Sequence, residues 1–123
     1  MGRGCLWAQS VTALLGDSTS CCPSGTNIIV GTSGSDVIVG TDGADCILAL
    51  DGDDVIDARG GNDFVSGGSG RDTIFAGEGD DVVFGGDGDD TINAAPGTNF
   101  IDGGEGTDTC FADPASDTLV SCP

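Results

Sequence analysis

Residues 67–75 read GGSGRDTIF, residues 76–84 read AGEGDDVVF and residues 85–93 read GGDGDDTIN. Each of these segments has a glycine, then an Asp two residues later, then an Ile or Val after two more. The pattern therefore repeats every nine residues. A fixed short period is the sequence signature of a solenoid, in which each repeat is one structural unit that stacks on the next.

The period continues in both directions when Gly67 is taken as position 1 of a nine-residue frame. Position 4 is glycine in ten consecutive frames, from Gly25 to Gly106. Position 6 in these frames holds Asn27, Asp36, Asp45, Asp54, Asp63, Asp72, Asp81, Asp90, Asn99 and Asp108. Position 8 holds Ile29, Ile38, Ile47, Ile56, Val65, Ile74, Val83, Ile92, Ile101 and Cys110. A weaker frame with Asp117 and Leu119 follows, so the repeat region spans residues 22–120.

Each position of the frame has a physical interpretation. Positions 7 to 9 are rich in β-branched and aromatic residues and predict a three-residue strand. Because side chains alternate along a strand, the apolar position 8 should point inward between two outward neighbours. Glycine at position 4 predicts a turn with positive φ or a close approach of the backbone. Position 6 then lies where the loop meets the strand, with its carboxylate directed back towards the glycine-rich turn.

The composition restricts the functions that this chain can perform. Its 123 residues include 21 acidic and three basic residues, no His, and a net charge of −18. Such a charge excludes nucleic acids and anionic membranes as partners, because both are polyanions. The absence of His excludes an HExxH metalloprotease and a Ser-His-Asp triad. The sequence contains no run of about 18 apolar residues, so it predicts no membrane span. The charge balance fits either a chain that binds cations or a solvated acidic chain, and the missing motifs predict that it is not an enzyme.

The nonapeptide GGxGxDxUx, with U a large apolar residue, resembles the RTX (repeats-in-toxin) calcium-binding repeat, and the link of that pattern to calcium is general knowledge. The resemblance implies an all-β fold, a right-handed parallel β-roll with two repeats per coil. It also implies Ca²⁺ between the turns, bound by loop carbonyls and the position 6 side chains. The predicted metal ligands are Asp36, Asp45, Asp54, Asp63, Asp72, Asp81, Asp90, Asn99 and Asp108. With six or more oxygens per ion, roughly four to seven Ca²⁺ are expected.

Two repeats per coil would divide position 6 into two columns. One column, from Asp36 to Asp108, contains only Asp, whereas the other contains Asn27 and Asn99. Asn is a neutral and weaker ligand for a hard dication. We therefore expect the column with only Asp to be the more fully occupied by calcium.

The two outer faces of the roll should also differ. On the side with the Asn-containing column, positions 7 and 9 are mostly apolar, including Ile28, Phe64 and Phe84. The opposite side has Thr73 and Thr91 at position 7. A contiguous apolar patch usually marks an interface. We expect either the N-terminal LWAQSVTALL segment or a second copy of the chain to cover it.

The six Cys residues lie near the two ends of the repeat region. Cys110 and Cys122 are expected to form a disulfide that folds the tail over the open end of the solenoid. Cys46 pairs with Cys22 or Cys21 in this interpretation, and Cys5 takes the remaining one; six Cys allow 15 pairings in all. Disulfides are typical of secreted proteins. RTX toxins exported by type I secretion typically lack Cys, so the resemblance implies relatives that use the general secretory route.

The sequence thus predicts three parts: an N-terminal segment over residues 1–21, the repeat region over residues 22–120, and a C-terminal cap over residues 121–123. The N-terminal segment is a candidate signal-peptide remnant or cap. The expected function is that of a secreted, non-catalytic module whose folding is coupled to Ca²⁺. Two alternatives remain: an adhesive or surface-binding solenoid, ice binding included, and the detached C-terminal repeat domain of a secreted hydrolase.

Overall fold

A computed structural model describes residue 22 and residues 25–94, 96–113 and 115–122. This part of the chain forms strands and loops and contains no helix. The strands are β1 (Asn27–Val30), β2 (Val37–Val39), β3 (Asp45–Leu48), β4 (Val55–Asp57), β5 (Phe64–Ser66), β6 (Thr73–Phe75), β7 (Val82–Phe84), β8 (Thr91–Asn93), β9 (Phe100–Asp102), β10 (Thr109–Phe111) and β11 (Thr118–Val120). Most are three residues long and occupy positions 7 to 9, as the repeat predicts.

The strands form two parallel sheets. Sheet A has the order β1-β3-β5-β7-β9-β11, and sheet B has the order β10-β8-β6-β4-β2. Every strand pairs with the strand 18 residues away, so that Ile47 lies opposite Val65, and Val65 lies opposite Val83. Two nonapeptides therefore make one coil, and the chain is a β-solenoid of about five turns. The predicted parallel β-roll is confirmed.

The core is a column of position 8 side chains from both sheets. In β4, for example, Ile56 is fully buried while Val55 and Asp57 on either side are exposed. The position 8 residues with no exposed surface are Ile47, Ile56, Val65, Ile74, Val83, Ile92 and Ile101. Burial of one large aliphatic side chain contributes about 1.5–3 kcal/mol, so this column is the main apolar contribution to folding.

From Gly52 onward, glycine at position 4 is required by both conformation and space. Gly70 has φ of 111°, a conformation that side chains rarely adopt. An added Cβ would collide with the carbonyl oxygen of Gly52, the residue one coil earlier. In the loops that lead into sheet B, the backbone also pairs between coils, because the amide of Ser69 donates to the carbonyl of Leu50 at 3.0 Å. The loops therefore stack closely.

Disulfides close both ends of the repeat region. The predicted Cys110–Cys122 bond is present, with Cα atoms 5.8 Å apart. Cys46 bonds Cys22, one of the two partners that the sequence left open. Cys5 and Cys21 lie outside the described residues, as does the predicted N-terminal segment over residues 1–21.

Candidate metal centre

The nine predicted ligands lie at the ends of loops, directly before a strand, in two columns along the solenoid. Asp36, Asp54, Asp72, Asp90 and Asp108 precede the strands of sheet B, and Asp45, Asp63, Asp81 and Asn99 precede or begin strands of sheet A. Asp36 is half-buried, and the other eight are at most 3% exposed. The side chains therefore point into the solenoid rather than into solvent. A buried, charged carboxylate needs a compensating partner.

From Asp54 onward, one carboxylate oxygen of each Asp at position 6 accepts a hydrogen bond from the preceding coil. The backbone amide of Asp54 donates to Oδ1 of Asp72 at 2.8 Å, and the amide of Asp72 donates to Oδ1 of Asp90 at 2.8 Å. The same bond occurs in the other column, from the amide of Asp63 to Oδ1 of Asp81. Asp at position 6 is therefore structural as well as a candidate ligand.

The second oxygen of six of these carboxylates is buried without a hydrogen-bond donor. The six atoms are Oδ2 of Asp54, Asp63, Asp72, Asp81, Asp90 and Asp108. Loss of solvation on burial is the largest cause that raises the pKa of Asp72, to about 8, and that of Asp54, to about 6. For Asp63, Asp81 and Asp90 the same cause raises the pKa to about 7. These oxygens need a proton or a cation.

In residues 31–48, which we call the first coil, the protein itself supplies hydrogen-bond donors to the position 6 carboxylates. The backbone amide of Thr32 donates to Oδ2 of Asp36 at 2.7 Å, and its hydroxyl donates to Oδ1 at 2.9 Å. Thr41 makes the same two bonds with Asp45, at 2.7 Å and 2.9 Å. Both threonines occupy position 2, where the frames of the six unpartnered carboxylates have Leu, Arg or Gly. The residue at position 2 therefore marks the loops in which the protein supplies the donors.

Asn99 shows a second way to satisfy a buried side chain at position 6. Its Oδ1 accepts the amide of Asp81, as the Asp residues do. Its amide nitrogen takes the place of the unpartnered Oδ2 and donates to the carbonyls of Ala94 and Pro96 in its own loop. An Asp in the same place would set a carboxylate oxygen against these carbonyl oxygens. Such an arrangement of oxygens fits a cation.

Loop carbonyl oxygens are the second set of candidate metal ligands. Those of Gly61 and Gly79 point along the solenoid towards position 4 of the next coil, where a Cβ would collide with them. In the described part of the chain, no three acidic or Cys side chains come together as a metal cluster. An ion would therefore be held by one or two carboxylates and by carbonyls, a hard oxygen set that suits Ca²⁺. The residues present fit the ion that the repeat implies.

Comparison with known families agrees with this geometry. The sequence model of the RTX calcium-binding nonapeptide repeat matches the chain in overlapping windows, at residues 24–56, 39–74, 57–92, 66–101 and 84–119. The chain belongs to this family. Its repeats are calcium-binding repeats, of a kind that is structural rather than catalytic and typical of secreted proteins. No curated protein matches the chain.

The side chains at position 5 have a role that the sequence did not reveal. Oδ1 of Asp53 accepts the backbone amide of Arg71 at 2.8 Å. Oδ1 of Asp80 likewise accepts the amide of Thr98, at 2.9 Å. The signal was available, since both bonds span 18 residues, the length of one coil. Position 5 therefore helps to hold successive loops in register.

No helix among the described residues is long and apolar enough to span a membrane.

Proposed function

We propose that this chain is a secreted, non-catalytic module that folds when Ca²⁺ occupies its loops. The observation that carries the proposal is the set of six buried Oδ2 atoms that have no donor. Such a set is unfavourable in the folded state unless each oxygen is protonated or binds a cation. Binding free energy then becomes folding free energy, as in other small metal-dependent domains.

The six unpartnered carboxylates are the proposed principal ligands. Asp36, Asp45 and Asn99 stay predicted ligands, of lower expected occupancy, because each already has donors or acceptors within the protein. The column that contains only Asp supplies four of the six, at Asp54, Asp72, Asp90 and Asp108. This distribution supports its expected greater occupancy, and a total of about four to seven ions remains the expected range.

Secretion is supported by the chemistry of the chain. Two disulfides join described residues, and disulfides persist in oxidising compartments such as the extracellular space. Calcium sites of extracellular modules have Kd values of about 0.1–1 mM, which are well above the Kd values of cytosolic calcium sensors. A module with a charge of −18 would therefore stay open where calcium is scarce and would fold outside the cell.

Equilibrium dialysis with radioactive calcium tests the binding directly. The wild type, Asp72→Asn and Asp36→Asn should be compared at millimolar free Ca²⁺. We expect Asp72→Asn to lose bound calcium and Asp36→Asn to retain the wild-type number. Equal losses in the two variants would contradict the assignment of ligands, and a wild type without bound calcium would contradict the function.

Surface binding, including ice binding, has weaker support. Thr73, Thr91 and Thr109 align on neighbouring strands of sheet B, which gives three rungs of one residue each. Phe75 and Phe111 interrupt the same face at position 9, so no broad regular array forms.

The apolar outer face of sheet A is proposed to be an interface, either within the folded chain or between two copies.

A further inference from the structure

The outer faces of the two sheets differ in exposure. On sheet B every position 9 side chain is exposed, and Val39 and Phe111 reach 54% and 55%. On sheet A the outward-pointing Cys46 and Leu48 are 0% and 4% exposed, while Val30 at the end of the sheet is 45% exposed. Residues at equivalent positions are thus covered only over the middle of sheet A.

The covered region is largely apolar, and Ser66 is a buried polar residue between Leu48 and Phe84. Cys46, Leu48 and Leu50 form a buried cluster outside the main core. The rings of Phe64, Phe84 and Phe100 continue it along the sheet, with centroids 5.7 Å and 5.9 Å apart. We call these six residues the outer patch. Among the described residues, the partly buried apolar side chains that pack on the cluster are Cys22 and Phe64.

The N-terminal segment is attached to the outer patch. Residue 21 is followed by Cys22, which is bonded to Cys46 within the patch. The patch extends from β3 to β9, three strand spacings or about 15 Å. The 15 residues from Trp7 to Cys22 could reach about 50 Å when extended, so the length of the segment is sufficient.

The segment also matches the patch chemically. Trp7, Val11, Leu14 and Leu15 recur at the spacing i, i+4, i+7 and i+8, which presents apolar side chains on one side of a helix. No acidic residue occurs before Asp17, in a chain that has 21 of them. An apolar, nearly uncharged segment is unsuited to water and suited to an apolar surface.

We propose that residues 6–15 pack on the outer patch, with Trp7 against the column of Phe64, Phe84 and Phe100. The segment then acts as a covering strap, fixed by the Cys22–Cys46 disulfide, that makes the solenoid monomeric. Sheet B is left as the open face of the module. This proposal does not depend on calcium binding at the loops.

Tryptophan fluorescence of the full chain in saturating Ca²⁺ tests the proposal. Trp7 is the single Trp, and the chain has no Tyr, so the emission reports on the segment alone. We expect a blue-shifted emission and weak quenching by acrylamide. Phe84→Ser should shift the emission to the red and increase the quenching constant severalfold. Phe75→Ser, the same change at position 9 of sheet B, should leave both unchanged.

A second variant serves as a control in case Phe84→Ser fails to fold. Leu14→Ser changes no residue of the described strands β1 to β11 and should produce the same red shift, with the circular dichroism of the wild type. A wild-type Trp7 that emits as in water would overturn the proposal, and so would a Leu14→Ser variant that emits like the wild type. Protection of Trp7 that disappears on dilution, together with a dimeric mass, would assign the patch to a second copy and overturn the strap.

Discussion

The loops of the first coil and those of the central coils have the same Asp at position 6 but satisfy it differently. Asp45 receives two hydrogen bonds from Thr41, whereas Oδ2 of Asp72 has no donor. The difference arises at position 2, four residues earlier, where Thr41 is replaced by Gly68. A repeat position therefore does not define a metal ligand by itself. What matters is whether the loop already supplies a donor to the carboxylate.

The largest difference between the loops of the first coil and those of the central coils should appear when the pH of calcium-free protein is changed. The pKa values of Asp63, Asp72 and Asp90 are raised to about 7, 8 and 7, from an ordinary 3.8. Between pH 3.8 and these values the folded state binds more protons than the unfolded state, so its stability falls as pH rises. The contribution is complete below the unfolded value and is lost through the folded values.

We therefore expect calcium-free protein to gain β structure as the pH is lowered from 8 to about 5, because protons replace the ion. Calcium affinity should fall over the same interval. Far-UV circular dichroism of metal-stripped protein measures the first effect. A β signal that decreases on acidification in this range would show that the buried carboxylates do not control folding.

Removal of a single charge should have the next largest effect. Asp72→Asn should lower the free energy of unfolding in saturating Ca²⁺ by about 2.7 kcal/mol, if one site is lost that was filled at a hundredfold excess over its Kd. Asp36→Asn changes a carboxylate that Thr32 already satisfies, so its effect should be much smaller. Urea unfolding of both variants provides the comparison. Similar losses would remove the distinction between the first and central coils.

Glycine at position 4 gives a third contrast. Gly70→Ala should destabilise the protein by at least about 1–2 kcal/mol, because its φ is positive and Gly52 lies directly in the path of the Cβ. Gly34→Ala is the matched control, since the nearest atom to its Cβ would be Oγ1 of Thr32 at 3.9 Å. Thermal unfolding in calcium measures both. A greater loss for Gly34→Ala would contradict the stacking of the central loops.

The smallest effect should come from the threonine hydroxyl in the first coil. Thr41→Val removes the side-chain donor to Asp45 but keeps the backbone donor, so a loss of about 1 kcal/mol is expected. Thr91→Val changes an exposed residue of sheet B and should be nearly neutral. Denaturant midpoints of the two variants can be compared directly. An unchanged Thr41→Val would show that the backbone amide of Thr41 and the side-chain amide of Asn27 are sufficient donors for Asp45.

Much of the fold could be predicted from the sequence because positions 4 and 8 of the repeat have the same physical role throughout the central coils. Ile74 had to point inward and Gly70 had to permit a close approach, whichever residues surround them. The pairing of Cys110 with Cys122 was predicted because the open end of a solenoid needs a cap, and it is confirmed. The difference between Asp36 and Asp72 could not be predicted in this way, since it depends on which hydrogen bonds form within each loop. The hydrogen bonds at position 5 were not predicted either, although the 18 residues that each spans are the length of one coil.

Circular dichroism during addition and removal of calcium tests the central claim most directly. At neutral pH the metal-free chain should show little β signal, millimolar Ca²⁺ should produce the β spectrum, and EGTA should reverse it, with the Cys22–Cys46 and Cys110–Cys122 disulfides intact throughout. Asp36→Asn should follow the same transition as the wild type, and Asp72→Asn should require more calcium. A full β spectrum in the metal-free chain at neutral pH, unchanged by calcium, would contradict the account.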